Sequence, residues 1–332
     1  MHILVLDSSP FFGGAQKSLA ETLRWLKKRH QVTLLAGEGM KDCHPDICVP
    51  AHHWTASFGG LLQYLADRRR FVQVWEASSP TTSYDIVYAN GLRAGMLLAA
   101  VKNPPPVLLH DRDIRAPAKL RHWLAGKQHP FVVGTSEEIL RMWEGISVRG
   151  KEILPPAFDL EALRAVSPVA DADVPAVLQV ADFVPWKRHS LFCEAVRQKE
   201  FRAGICGRSR GDTAYDAEVL GKMREAGVER IASEDALPWI AACKVVVCCS
   251  EGEPFGRTVI EALAMGKNVV VTPTACAATL QTLPGVMASE DSPDALAEAI
   301  RTALTLPPPN APLSDYTWGE LGPKLEMLLE KL

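Results

Sequence analysis

The sequence predicts an α/β protein of two domains, each built on a parallel sheet. Three observations lead there. Residues 244–249 (KVVVCC) form a short β-branched, apolar run of the kind that makes a central strand buried on both faces. Comparable runs alternate along the chain with segments of helical periodicity, the order that an open parallel sheet requires. The 332 residues also exceed what one hydrophobic core usually serves. An apolar content of 47% and a charged content of 23% are those of an ordinary globular protein, and no apolar run approaches a membrane span.

Residues 2–6 read as the first strand, so the N-terminus, which has no basic leader, is expected to be structure and not a signal peptide. The loop 7–14, which runs from Asp7 through Pro10 and two phenylalanines, ends in Gly13 and Gly14 ahead of a helix over 15–28, whose Leu19, Leu23 and Leu26 recur at helical spacing. Without G-x-G-x-x-G or G-x-x-x-x-G-K-[ST], this is neither a dinucleotide fingerprint nor a P-loop. Paired glycines before a helix still let phosphate oxygens touch backbone N–H groups, unless they serve only to pack a tight turn. Strands follow at 32–36, 85–88 and 107–109, with a helix over 94–101 and a break at Pro104, Pro105 and Pro106. His110 and Asp111 then fall at a strand's carboxyl end, where ligands of such sheets gather; a structural histidine is the other reading. Thr135 and Ser136 precede Glu137 and Glu138 as an N-cap with an acidic first turn.

Residues 166–175 (VSPVADADVP) are poor in large apolar side chains and read as a linker. A strand at 177–180, a helix over 187–199, a strand at 203–206 and a short helix bearing Trp239 lead to the central strand at 244–249. After it, Pro254, Phe255 and Gly256 form a turn into a helix over 257–265 that has almost no polar face. Gly256 lets the backbone approach a ligand, and the helix start behind it favours a phosphate. Glu261, inside that helix, sits where a carboxylate needs donors. The paired hydroxyls of a nucleotide ribose would supply them, as would Arg257 one turn earlier.

Glu253 and Glu261 are separated by seven residues, with Phe-Gly between them. This resembles the E-x7-E motif of retaining glycosyltransferases of family 4, which have the GT-B fold of two Rossmann-like domains with parallel sheets facing across a central cleft. The resemblance implies an N-terminal acceptor-side domain of residues 1–165 plus a returning C-terminal helix over 316–332, and a donor domain of 166–315. It implies transfer of a sugar from a nucleotide-diphosphate sugar to an acceptor hydroxyl with retention of configuration and no cofactor; no metal is expected, because cations and the helix start at Gly256 would stabilise the leaving charge and no Asp-x-Asp site stands out. Carried over residue by residue, Glu253 reaches donor-sugar hydroxyls, and the backbone of Pro254, Phe255, Gly256 and Arg257 meets the diphosphate. Glu261 holds the ribose, Gly207 in CGRSRGD approaches the base, Gly13 and Gly14 face the diphosphate, and His110 orients the reacting groups. The chain departs from the family in one place that matters for charge. Ala181 and Asp182 stand where most members have Gly-Arg, so only Lys187 matches the diphosphate-binding cations, with Arg188 as the candidate replacement. Past Glu261, NVVVTPTACAATL stands where many members have Gly-Gly and a glutamate.

Residues 1–165 hold 20 Lys and Arg against 16 Asp and Glu, and residues 166–332 hold 16 against 23, so the halves carry +4 and −7. Arg112, Arg115, Lys119, Arg121 and Lys127, with Trp123 among them, form a basic segment expected either to meet an anionic membrane or an acidic acceptor, or to be a solvated helix face. The overall charge of −3 argues against nucleic acid. Eight cysteines in no C-x-x-C pair suit reduced thiols in a cytoplasm, and Cys43, His44, Asp46 and Cys48 match no zinc spacing. Two other functions stay open: a catalytically silent nucleotide-sugar binding protein, and a nucleotide-sugar epimerase on the same fold.

Overall fold

The computed structural model describes residues 1–49, 51–52, 54, 57–78, 83–170, 174–197 and 200–332. The chain divides into two compact units, Met1–Phe158 with Tyr316–Leu332, and Asp159–Asp315. Among the described residues, no helix is long and apolar enough to cross a membrane.

In unit 1 the elements are β1 (His2–Asp7), α1 (Gly14–Leu26), β2 (Gln31–Ala36), β3 (Ile47–Cys48), α2 (Phe58–Ser78), β4 (Ile86–Asn90), α3 (Leu92–Leu98), β5 (Val107–Asp111), α4 (Ala118–Gln128), β6 (Phe131–Gly134), α5 (Glu137–Arg141) and β7 (Gly150–Ile153). The strands pair in parallel in the order β3-β2-β1-β4-β5-β6-β7. Every residue of β4, β5 and β6 is buried, which is why these strands read as unbroken apolar runs. On one face, Leu19, Leu23 and Leu26 of α1 pack over Ile3, Val5 and Tyr88. On the other, Phe71 and Trp75 of α2, Leu97 of α3 and Leu124 of α4 pack over Leu4, Val87 and Leu109.

Three expectations change in unit 1. β5 runs on through His110 and Asp111 instead of ending at Leu109, because both pair with β6. Ser136 is the N-cap of α5, but its buried hydroxyl makes no hydrogen bond, so the first turn is favoured by Glu137 and Glu138 and not by a side-chain cap. The basic segment over 112–127 is not one surface. Arg121 has no exposure; its Nε donates to Asp111 Oδ2 at 2.9 Å and its Nη1 to the Ala116 carbonyl at 2.7 Å. Arg112 is turned inward, with Nε on Asn90 Oδ1 at 2.9 Å. Arg115, Lys119, Trp123 and Lys127 stay exposed.

Unit 2 contains α6 (Leu160–Arg164), β8 (Val177–Val180), α7 (His189–Val196), β9 (Ala203–Cys206), α8 (Thr213–Ala226), β10 (Glu229–Ile231), α9 (Leu237–Ala242), β11 (Val245–Cys248), α10 (Arg257–Ala264), β12 (Asn268–Val271), α11 (Ala278–Gln281), β13 (Val286–Ala288) and α12 (Pro293–Thr305). Its parallel sheet has the order β10-β9-β8-β11-β12-β13, so β11 is central, between β8 and β12. Residues 159–165, expected in the first domain, belong here. Asp159 caps α6 by accepting from the Ala162 amide at 2.9 Å, and α6 packs against α10. The helix expected over 187–199 is shorter, because a 3₁₀ turn (Pro185–Lys187) and Arg188 at a left-handed φ of 55° precede α7. Gln198 and Lys199 of that expectation, and residues 171–173 of the expected linker, lie outside the described residues.

The final helix, α13 (Trp318–Glu330), completes unit 1. Trp318 stacks on Trp25 of α1 with ring centroids 5.3 Å apart. Glu326 accepts from Trp25 Nε1 at 2.9 Å and pairs with His30 at 2.6 Å. A β-carbon at Gly322 would meet the Trp25 ring at 2.1 Å, so glycine is what lets this helix lie close.

Candidate active site

Parallel sheets bind ligands beyond the carboxyl ends of their strands, and in unit 2 the central strand β11 ends at Cys248. The chain then crosses 249–256 into α10. Gly256 takes a φ of 103°, and a β-carbon there would lie 2.5 Å from Cys276 Cβ, so both conformation and space demand glycine. It is the N-cap of α10 and has no side chain of its own to cap that turn. The turn is pinned on both sides. The Glu251 amide donates to the Trp186 carbonyl at 2.7 Å, the Glu253 amide to the Thr274 carbonyl at 2.9 Å, and the Phe255 carbonyl accepts from Ala277 at 2.8 Å. Phe255 is buried and Pro254 half-buried.

Lys187 Nζ donates to Glu253 Oε2 at 2.6 Å. Its own carbonyl accepts at 2.9 Å from Nε2 of Gln179, a buried β8 residue that fixes the lysine's backbone. Glu261 is 5% exposed, with Oε1 3.3 Å from Arg257 Nη2. The structure therefore contains the Arg257 pairing that the sequence left open, in the buried setting that a ribose role also needs. Cys248 shows which charges share this place. Burial first, then Lys187, Glu253 and Glu261, act on its thiol and leave its pKa pushed up to about 12. The next residue, Cys249, is raised by burial, then by Cys248, with Arg188 and Asp291 acting on it instead. Lys187 and Glu253 share an ion pair, and Arg188, the next residue along from Lys187, has a different partner. Arg188 is engaged there by Asp291 at 2.5 Å. That partner lies outside the turn.

Asp182, which stands where most members of the resembled family have an arginine, organises two arginines from the loop after β9. Arg210 Nε donates to its Oδ2 at 2.9 Å, and Arg208 Nε lies 3.7 Å from Oδ1. Gly207 sits at the crossing of these loops, where a β-carbon would lie 1.8 Å from the Ala181 carbonyl oxygen. The sequence marks Gly207 within CGRSRGD more plainly than Arg208 and Arg210, whose signal is two cations after a strand-end glycine.

His189 lies behind this site with no exposure, its Nδ1 3.1 Å from the Tyr215 hydroxyl and its Nε2 3.3 Å from the Ala181 carbonyl. Burial, against the Ala181 hydrogen bond, holds its pKa down to about 4. An unfolded histidine titrates near 6.5, so between those values the unfolded chain binds a proton that the folded chain refuses, and stability falls as pH falls. By pH 5 the loss expected from this residue is about 2 kcal/mol. Urea unfolding at pH 7.5 and pH 5 checks it: His189→Gln should remove that part of the pH dependence, and an unchanged dependence would refute the assignment.

The sites expected in unit 1 lie at the ends of β1 and β5. The Gly13 amide donates to Gln16 Oε1 at 3.1 Å, and Gly14 opens α1. Gln16 Nε2 and Asn90 Nδ2 both donate to Asp7 Oδ2, at 3.0 and 2.6 Å, and Asn90 in turn holds Arg112. Asp7, Asn90 and Arg112 were not singled out from the sequence as a site; each is an ordinary strand-end polar residue until the sheet aligns them. His110 is 2% exposed. Its Nε2–H faces the Leu154 carbonyl at 3.2 Å, so Nδ1 is the acceptor, taking the Tyr88 hydroxyl and Arg112 Nη2. Burial, then the Arg112 charge, hold its pKa well below the usual histidine range, which keeps the ring neutral. Both ring nitrogens are thus engaged within unit 1. The ring also borders a small pocket with Thr22, Arg112 and Trp318.

Among the described residues, no group of three or more His, Cys, Asp and Glu is placed to hold a metal ion. The eight cysteines form no disulfide.

Residues 174–305 match the family Glycosyl transferases group 1. The match spans most of unit 2 and stops short of unit 1. Comparison with curated protein sequences gave no match. Among solved structures, HepE of Anabaena in complex with UDP and glucose is 19% identical over 100% of both chains, with a TM-score of 0.76. The same protein in complex with UDP-glucose is 21% identical over 100% of both chains, at 0.75. Sucrose-phosphate synthase of Thermosynechococcus elongatus is 18% identical over 100% of this chain and 98% of its own, at 0.75. These likenesses establish the fold as GT-B, with two Rossmann-like α/β domains.

Proposed function

We propose that the protein is a retaining glycosyltransferase that moves a sugar from a nucleotide-diphosphate sugar to an acceptor hydroxyl. The observation that carries this reading is the pairing of Lys187 Nζ with Glu253, at 2.6 Å, ahead of the glycine-started helix α10 that buries Glu261. The family match over 174–305 and the nucleotide complexes of HepE support the donor class. The bond from the anomeric carbon to the diphosphate oxygen breaks, the bond to the acceptor oxygen forms on the same face, and the acceptor proton leaves with the diphosphate. Lys187 and the α10 amides stabilise the charge that collects on the departing phosphate. Glu253 orients sugar hydroxyls. Glu261 grips the ribose; a carboxylate accepts about four hydrogen bonds, so pairing with Arg257 and holding a diol are compatible. His110, held neutral, is assigned an orienting role, and a cytoplasmic setting is the one that eight cysteines without a C-x-x-C pair suit.

Charge stabilisation by lysine and helix amides makes the reaction independent of metal, so turnover should be unchanged after treatment with EDTA; loss of activity restored by a divalent cation would overturn that part. The reading as a whole is tested by incubating the protein with labelled nucleotide sugars, UDP-hexoses first, and a panel of hydroxyl acceptors. A glycosylated product with the donor's anomeric configuration supports it. Inversion removes the retaining mechanism, a new epimer of the donor makes the protein an epimerase, and saturable binding without turnover makes it a silent binding protein.

A further inference from the structure

Helix α2 has two apolar faces where a surface helix needs one. Asp67, Phe71 and Trp75 face the core, and Asp67 anchors the helix by accepting from Trp54 Nε1 at 2.8 Å and Gln63 Nε2 at 3.0 Å and by pairing with His52 at 2.7 Å. On the opposite side Phe58 is 76% exposed, Leu61 51%, Leu62 52% and Leu65 44%. Their spacing of three and four residues puts them on one stripe. Arg68, Arg69 and Arg70 follow directly, all exposed. From Ser57 to Trp75 the one acidic residue is Asp67, which is fully buried, so the outward side of this stretch carries apolar groups and positive charge.

We propose that this stripe docks unit 1 onto an anionic lipid surface. Large apolar side chains beside clustered arginines match the acyl boundary and the negative headgroups of such a surface. The four side chains leave roughly 400 Å² open, about half of what one partner contributes to a standard protein interface, which favours shallow insertion over a protein partner. The site differs from the basic segment over 112–127, where Arg112 and Arg121 are engaged internally. It stands independently of the transfer reaction.

The test is co-sedimentation of the full chain with phosphatidylcholine vesicles with or without about one third phosphatidylglycerol, at low and high salt. The chain should bind the anionic vesicles alone, less at high salt. Combined Leu61→Ser, Leu62→Ser and Leu65→Ser should weaken binding about tenfold or more, and combined Arg68→Glu, Arg69→Glu and Arg70→Glu should abolish it, while Arg115→Ala, Lys119→Ala and Lys127→Ala together leave it largely intact. These positions are exposed, so unchanged circular dichroism is expected, and the arginine set tests the idea even if the leucine set misfolds. Absence of binding by the native chain, or native-like binding by either α2 set, overturns the proposal. So does a native dimer that the leucine set converts to a monomer, which would assign the stripe to a second copy.

Discussion

Replacing Lys187 with alanine is expected to lower kcat about 100-fold to 1000-fold while changing the donor dissociation constant far less. The asymmetry follows from where the charge is needed. In the bound donor the diphosphate charge is already delocalised over its oxygens; as the glycosidic bond lengthens, one bridging oxygen gains charge that a fixed ammonium meets without reorganising. The lysine also balances Glu253 at 2.6 Å, so its loss leaves a carboxylate beside the leaving group and raises the barrier further. Both side chains are nearly a quarter exposed, so folding should suffer little, and equal melting temperatures would show that the chemistry was probed. Lys187→Arg restores charge in a different shape and should recover part of the rate. Equal losses in turnover and affinity would make Lys187 a binding residue only.

Glu261→Ala is expected to weaken nucleoside-diphosphate affinity about 30-fold to 1000-fold, or about 2 to 4 kcal/mol, through lost charged hydrogen bonds. Arg257 complicates this variant, because removing Glu261 takes an ion-pair partner from a guanidinium that is 11% exposed. Glu261→Gln separates the two effects. It keeps an acceptor for a ribose hydroxyl but ends the ion pair, so it should bind the nucleotide better than the alanine variant while sharing its loss of fold stability. Calorimetry that finds the native dissociation constant in both variants would leave Glu261 as the counter-ion of Arg257 and nothing more.

What the sequence disclosed and what it hid divide along physical lines. Strands β8 and β9 are legible with the bounds they have, and β11 as the central strand, because buried parallel strands are contiguous apolar runs that need no tertiary information. The turn at Gly256 is legible because glycine before an apolar helix has few other uses. Arg121 reads wrongly as surface, since nothing in a basic segment says that Asp111, ten residues earlier, will meet it inside. Asp182 with Arg208 and Arg210 escapes for the same reason: their meeting depends on β8 and β9 lying side by side. Helix α2 does not show in the sequence at all, because apolar residues on both faces blur the helical period.

Helix α13 has one more implication, for the order in which the protein is made. Unit 1 is assembled from residues 1–158 and 316–332, so the first 158 residues leave the ribosome without Leu321, Leu325, Leu328 and Leu329, which cover one side of its sheet. At the usual pace of translation the gap is roughly 10 to 30 s, during which contiguous unit 2 emerges and has what it needs to fold. The nascent half-molecule must wait with its apolar flank bare. Release without the final seventeen residues would leave it so for good, a substrate for chaperones or proteases more than for sugars.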